Sequence, residues 1–259
     1  MSGEYLFQMD KYLRDQGLRY DDAINDMVAA RENGKEFLLQ EHIAGLVYAL
    51  LTNQTRWSRI VPHLSEIDEL FHHYDPAFIK SKPGSYFEDG LYGMKCGNMS
   101  TGKQMDALAR NVETFERIVA EYGSMDAFIT TASPYRIVKK LANSSSKYKL
   151  RMVGEALAWE YIRNVGIDGC KPDTHLRRFL GKARMGVSRK DIASVEETLH
   201  QVDTLAEATG LRLSVIDNLI WSFCADGYGQ VCTDDPHCDK CVIRDHCHRM
   251  AAPDKAKNC

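Results

Sequence analysis

The sequence predicts an all-α protein of two lobes, and three observations carry that expectation. Apolar residues recur at three- and four-residue spacing along most of the chain. No segment alternates long enough to read as a strand. At 259 residues the chain has reached the size at which one core begins to divide into two. An apolar fraction of 44% and a charged fraction of 27%, with no long Pro, Gly or Ser tract, mark a chain that is folded almost throughout.

The elements follow in order. From His42 to Leu51 the apolar positions Ile43, Leu46, Val47, Leu50 and Leu51 form one helical stripe. The stretch from Tyr74 to Gly102 holds Pro76, Pro83 and glycines at 84, 90, 93, 97 and 102, and reads as a long connection with at most a short turn of helix. Leu108, Val112, Phe115, Val119 and Tyr122 mark a second amphipathic helix over 106–122. Ser133 and Pro134 form a cap and first-turn pair for a helix to about Leu141, since proline gives up an amide that has no partner there anyway. Asn143 to Lys147 breaks that helix, and another is expected from near Met152 to a stop at Gly166. Asp173 precedes a helix beginning near Thr174. Ile192 through Leu205 give a helix closed by Gly210, and Ser214 with Asp217 reads as a capping box for a helix through Phe223.

The net charge of −3 gives no global attraction to nucleic acid, so a DNA partner would require a local basic face. The run Arg177, Arg178, Lys182, Arg184, Arg189 and Lys190 reads either as an ordinary solvated face or as that patch. There is no apolar run of about 18 residues and no signal-like or transit-like N-terminus, so no membrane is expected and the address is cytoplasm or nucleoid.

Four of the eight cysteines lie between positions 232 and 247. Cys232, Cys238, Cys241 and Cys247 follow the spacing C-x5-C-x2-C-x5-C, and four thiolates so crowded favour a metal over disulfides. A structural zinc usually draws two closely spaced pairs, whereas here only Cys238 and Cys241 form one, so a [4Fe–4S] cluster is the expected cofactor and zinc the rival. His237 and His248 flank the ligands and read as solvent-facing.

This loop resembles the C-terminal iron–sulfur motif, C-x6-C-x2-C-x5-C, of the endonuclease III and adenine glycosylase families in the helix-hairpin-helix superfamily of DNA glycosylases. PDTHLRR from Pro172 to Arg178 is similar to the V-D-T-H-x-x-R segment that supplies the families' catalytic aspartate, which falls on Asp173. LLTNQT from Leu50 to Thr55 is similar to their L-L-S-x-Q-T element. The resemblance spans about residues 35 to 250 and agrees in order and separation. It implies a two-lobed glycosylase fold, with a helical barrel lobe over 40–168 that includes the hairpin, and a cluster lobe formed by 1–39 with 169–259.

Two departures are visible. The first cysteine gap is one residue short, and LRMVGEALA keeps only Gly154 of the families' two hairpin glycines, so the grip on DNA is expected to be weaker or altered. The position of the lysine that bifunctional members use holds Glu155 or Ala156, neither of which forms a Schiff base. The resemblance therefore implies a monofunctional, monomeric DNA N-glycosylase acting on a damaged or modified base in duplex DNA. A flipped base leaves a sugar that develops positive charge, and an ionised carboxylate near the anomeric carbon stabilises it and activates water. Asp173 takes that role here; on its own residues it reads equally as a helix N-cap. By the resemblance Gln54 is the candidate to fill or probe the gap left by the flipped nucleotide, Trp57 to pack beside it as a wedge or simply as core, and Asn53 to contact DNA, although short polar residues past a helical stripe, as Asn53 and Gln54 are, ordinarily cap it. Lys147, Lys149, Arg177, Arg178 and the Gly154 backbone are candidate phosphate contacts. Tyr148 and the aromatics from Tyr86 to Tyr92 are candidates for stacking on the base. Two alternatives stand beside this reading: a bifunctional glycosylase that uses Lys147 or Lys149, and a non-enzymatic binder of altered DNA in which Asp173 only caps.

Overall fold

The computed structural model describes residues 3–18, 22–53, 55 and 57–251, with the backbone alone at 22, 250 and 251. The described residues form fifteen α-helices and no strand. They are α1 (Glu4–Asp15), α2 (Asp22–Glu32), α3 (Leu39–Leu51), α4 (Trp57–Ile60), α5 (Leu64–Leu70), α6 (Pro76–Ser81), α7 (Gly84–Gly93) and α8 (Thr101–Tyr122). These are followed by α9 (Met125–Ile129), α10 (Pro134–Ala142), α11 (Glu155–Asn164), α12 (Thr174–Phe179), α13 (Val195–Thr209), α14 (Leu213–Cys224) and α15 (His248–Ala251). The chain divides into two compact units, Met1–Asp26 with Asp168–Cys259, and Met27–Ile167.

The second unit is built around α3. Ile43, Leu46, Val47, Ala49 and Leu50 are completely buried, and α3 packs against α11 and the long α8. Its interior also holds a polar cluster. Asp126, in the first turn of α9, accepts from Arg31 Nη2 at 2.7 Å and from the Phe37 amide at 2.9 Å, and pairs with His42 Nε2 at 2.9 Å. His42 Nδ1 lies 2.7 Å from the Tyr161 hydroxyl. Burial by itself would raise the Asp126 carboxyl, but the hydrogen bonds from His42, Arg31 and Phe37 outweigh it and hold the group well below its usual range. Burial pushes the His42 ring down, against the pull of Asp126. Arg31 and Phe37 thus tie residues ahead of position 40 to this unit, and the boundary falls at 26/27.

The stretch from Tyr74 to Gly102 is not a long connection: it contains α6 and α7. Asp75 caps α6 by accepting from the Ala77 amide at 2.9 Å, and Pro76 is its first residue. Gly84, Gly90 and Gly102 mark close packing between helices. A Cβ on Gly84 would stand 2.6 Å from the Asp106 backbone nitrogen, and one on Gly90 would stand 2.6 Å from the Leu70 side chain. Tyr86 and Tyr92 therefore lie on a helix.

In the first unit α1 packs on α14, placing Tyr5, Leu6, Met9 and Leu13 in one core with Ile216, Leu219, Ile220 and Phe223. The helix expected from Ile192 begins at Val195, where Ser194 and Glu197 form a reciprocal capping box, and Gly210 closes it at φ 72°. The expected Ser214–Asp217 capping box is absent. The start of α14 is capped instead from a distance, by Asp168, whose carboxylate accepts from the Leu213 amide at 3.1 Å and the Ser214 amide at 2.9 Å. Asp217 turns elsewhere and accepts from the Lys171 amide at 3.0 Å. No described helix is long and apolar enough to cross a membrane.

Candidate functional site

Asp173 is the N-cap of α12. Its Oδ1 accepts from the amides of His175 at 2.8 Å and Leu176 at 3.1 Å, and Oδ2 has no partner among the described residues. The segment leading to it is fixed by the two carboxylates that hold 168–171, Asp168 on α14 and Asp217 on the Lys171 amide. The carboxylate is thus oriented through one oxygen, on a residue that is partly exposed.

The next two candidates face inward. Arg177 Nε donates to the Ala193 carbonyl at 2.7 Å, and the Ala193 amide returns a bond to the Arg177 carbonyl at 2.9 Å. Arg178 pairs with Asp234, between the first two loop cysteines, and its Nη2 meets His175 Nδ1 at 3.2 Å. Neither guanidinium stands free on a solvated face; both tie α12 to its surroundings. α12 thereby joins Asp173 at its start to the cysteine loop near its end.

In that loop Cys232, Cys238, Cys241 and Cys247 line one cavity, together with Val231, Pro236, Arg184, Arg244 and Arg249. Among the described residues, no three His, Cys, Asp or Glu side chains are grouped so as to hold a single metal ion. Four soft donors around a cavity edged by arginines suit a thiolate-ligated, negatively charged group. A hydrogen bond from the buried Cys224 brings the Cys232 thiol down to about 7, with help from Arg184, while burial pushes Cys241 up to about 11. His237 and His248 are exposed. Sequence reasoning missed Cys224 and Arg184: in the sequence Cys224 reads as core, and Arg184 as one charge in a surface run.

The hairpin lies in the second unit, as α10, a turn and α11. Its first helix begins at Pro134 as expected, although the Ser133 hydroxyl makes no capping bond. The second begins at Glu155 rather than near Met152, because Met152 is left-handed at φ 60° and cannot start a helix. Asn111, completely buried on α8, fixes the turn from below: its Oδ1 accepts from the Arg151 amide at 2.7 Å and its Nδ2 donates to the Arg151 carbonyl at 3.1 Å. Gly154 is extended, at φ −88° and ψ 179°, and a Cβ there would meet nothing within 4 Å. Neither backbone conformation nor an internal neighbour demands glycine at that position.

Lys147 pairs with Glu121 at 2.8 Å, and the Tyr148 hydroxyl donates to the same carboxylate at 2.6 Å. The Tyr148 ring is buried, 5.0 Å from Phe128 and 5.9 Å from Tyr122, so it packs in the core instead of offering a face for stacking. Lys149 donates to the Val153 carbonyl, and burial lowers its ammonium below the ordinary lysine value. Glu155 pairs with Lys139 at 2.5 Å. The segment from Pro134 to Arg151 carries Arg136, Lys139, Lys140, Lys147, Lys149 and Arg151 and no acidic residue. Arg136 and Arg151 are exposed, so one basic face lies here; in the 177–190 run Lys182, Arg189 and Lys190 are exposed as well, while Arg177, Arg178 and Arg184 are bonded within the protein. The run of like charge over 134–151 is a signal that could have located it from sequence.

Asn53 follows the end of α3, its amide bonded to the Leu50 carbonyl at 3.2 Å. Gln54 lies outside the described residues. Trp57 packs edge-on against Tyr48, with centroids 6.1 Å apart, and the Tyr48 hydroxyl is bonded to Asp68 at 2.6 Å. No family model matches this chain, and neither a curated protein nor a solved structure matches it.

Proposed function

We propose that this protein is a monofunctional DNA N-glycosylase of the helix-hairpin-helix, iron–sulfur type, acting as a monomer on a damaged or modified base in duplex DNA. The observation that carries the reading is the double attachment of α12: Asp173 caps its start, and Arg178 binds its later part to Asp234 in the loop whose four cysteines line one cavity. The resemblance of the three sequence motifs supports it independently. Cys232, Cys238, Cys241 and Cys247 would hold a [4Fe–4S] cluster, which supplies a redox-active centre and cross-links the loop.

The chain's own residues then divide the work. Cations of the hairpin, chiefly Arg136, Lys140 and Arg151, meet phosphates, and the Gly154 amide offers an approach that no side chain obstructs. The nucleotide rotates out of the stack. Asp173 faces the sugar through Oδ2, stabilises the positive charge that grows as the base leaves, and draws a proton from the attacking water.

The test is incubation with duplexes carrying oxidised, alkylated and deaminated bases, alongside genomic DNA that has been heavily modified. Base release into solution with an unbroken strand is the expected result. Asp173→Asn keeps an acceptor oxygen at the cap and removes the charge, so it should fold normally, bind the duplex, and lose turnover by at least about 100-fold. Near-normal release by Asp173→Asn would overturn the assignment, and duplex binding without release from either source would favour a non-enzymatic binder.

A second reading has one observation in its favour. Lys149 is partly buried at the hairpin and its ammonium is lowered by that burial, the condition under which an amine becomes nucleophilic, whereas the ion pair with Glu121 keeps Lys147 charged. A bifunctional enzyme would give a borohydride-trapped adduct with DNA that disappears in Lys149→Ala and persists in Lys147→Ala.

A further inference from the structure

Arg184 is a buried cation, 7% exposed, in the connection between α12 and α13. Its Nη1 donates to the Cys232 carbonyl at 2.7 Å and lies 3.0 Å from Cys232 Sγ, and its Nη2 donates to the Thr233 carbonyl at 2.6 Å. Its own carbonyl accepts from the amide of His248, the residue after Cys247, at 2.7 Å. One residue thus grips both ends of the cysteine loop.

Among the described residues no carboxylate pairs with Arg184. A guanidinium taken out of water without a counter-charge is costly, and carbonyl oxygens supply only partial charge. The anion available to it is the sulfur of Cys232. Cys232 is also tied to the end of α14, where its amide donates to the carbonyl of Phe223 at 3.2 Å, beside the completely buried Cys224. The Cys232 sulfur therefore has a charged donor in contact, Arg184, and a buried thiol, Cys224, on the helix end that holds its backbone.

We propose that Arg184 is a positioning residue for the iron–sulfur group: it is the counter-charge of the Cys232 thiolate and, with the Cys224 thiol, raises the cluster's reduction potential and slows its loss. The inference rests on the reading that the four cysteines hold a cluster. Donors and positive charge at a ligand sulfur favour the reduced state, which carries the additional negative charge, and groups that fix a ligand also fix the metal.

The experiment uses the full chain purified anaerobically, as wild type, Arg184→Gln, Arg184→Lys, Cys224→Ala and Cys224→Ser. Iron and sulfide content, midpoint potential, and the rate at which a chelator bleaches the visible absorbance are measured on each. Arg184→Gln should lower the potential and speed bleaching at least about tenfold. Arg184→Lys, which keeps the charge and loses the fork, should fall between it and wild type. Cys224→Ala should also lower the potential, and Cys224→Ser, which keeps a donor, should restore it. Wild-type protein with zinc or no metal, and no sulfide, would refute the cluster reading itself. A wild-type cluster with unchanged potential and bleaching in Arg184→Gln and Cys224→Ala would overturn the proposal alone. Should Arg184→Gln fail to fold, the Cys224 pair decides by the same criterion: a shift in Ala rescued by Ser sustains it, and no shift sinks it.

Discussion

At the scale of single residues, Met152 holds a backbone shape that glycine adopts more readily. The hairpin backbone turns through φ 60° at this position although the residue has a side chain, and Asn111 on α8 holds the neighbouring Arg151 at both backbone groups. Left-handed backbone costs a residue with a Cβ about 1–2 kcal/mol, against about 0.5–1 kcal/mol for glycine's extra freedom when unfolded. Met152→Gly is therefore expected to stabilise the second unit by up to about 1 kcal/mol, and Met152→Ala, which keeps the strain, is not; urea unfolding of the two variants checks this, and a loss of stability in the glycine variant would refute it. The sequence could not reveal that Asn111, 40 positions from Arg151, braces this turn. The same limit hid Arg184 and the internal bonds of Arg177 and Arg178. An arginine's letter says that it is charged; only the fold says whether it faces water, a carbonyl or a thiol.

At the scale of elements, periodicity located α3 and α8 well because each buries apolar positions at helical spacing, and the proline at its first position located α10. It failed over 74–102 because Gly84, Gly90 and Gly102, which resemble loop signals, are places where helices press together. It also failed at the start of α14, whose cap comes from Asp168, far outside any local window. The gathering of the four cysteines around one cavity was legible since they lie close in sequence, while the cationic face of the α10–α11 turn was legible only by counting charge along 134–151. On the proposed DNA-binding function, that face yields a prediction. Neutralising Arg136, Lys140 and Arg151 together should weaken duplex binding across all sequences and flatten the dependence of affinity on salt by about one unit of slope for each phosphate left without its cation. The double variant Arg177→Ala, Arg178→Ala should change the slope little, because those guanidinia are bonded within the protein. The opposite ranking in salt titrations would move the DNA-binding face to α12.

At the scale of the whole molecule, the second unit is the acid-sensitive one. His42 has an ordinary value of 6.5 in the unfolded chain and a lower one when buried, so unfolding takes up a proton once pH drops below about 6.5. The Asp126 carboxyl, ordinarily at 3.8 and lower when folded, contributes its full stability above that value and loses it progressively below. Arg31, Glu41 and Tyr161 face these groups, and they set the balance of charge without removing either trend. Stability of this unit should fall in two stages on acidification, near 6 and then below 4, and His42→Gln should flatten the first stage in pH-dependent urea unfolding. An unchanged first stage would place the titration elsewhere. The division of the chain carries a different consequence, one that belongs to biosynthesis. Because α1 belongs with α14, a ribosome presents its apolar stripe of Tyr5, Leu6, Met9 and Leu13 long before the partner exists. At about 5–20 residues per second the wait is on the order of 10–40 s. Meanwhile the intervening Met27–Ile167 unit can close on itself, so the nascent chain carries a finished domain and an unmatched helix that a holding chaperone is suited to cover.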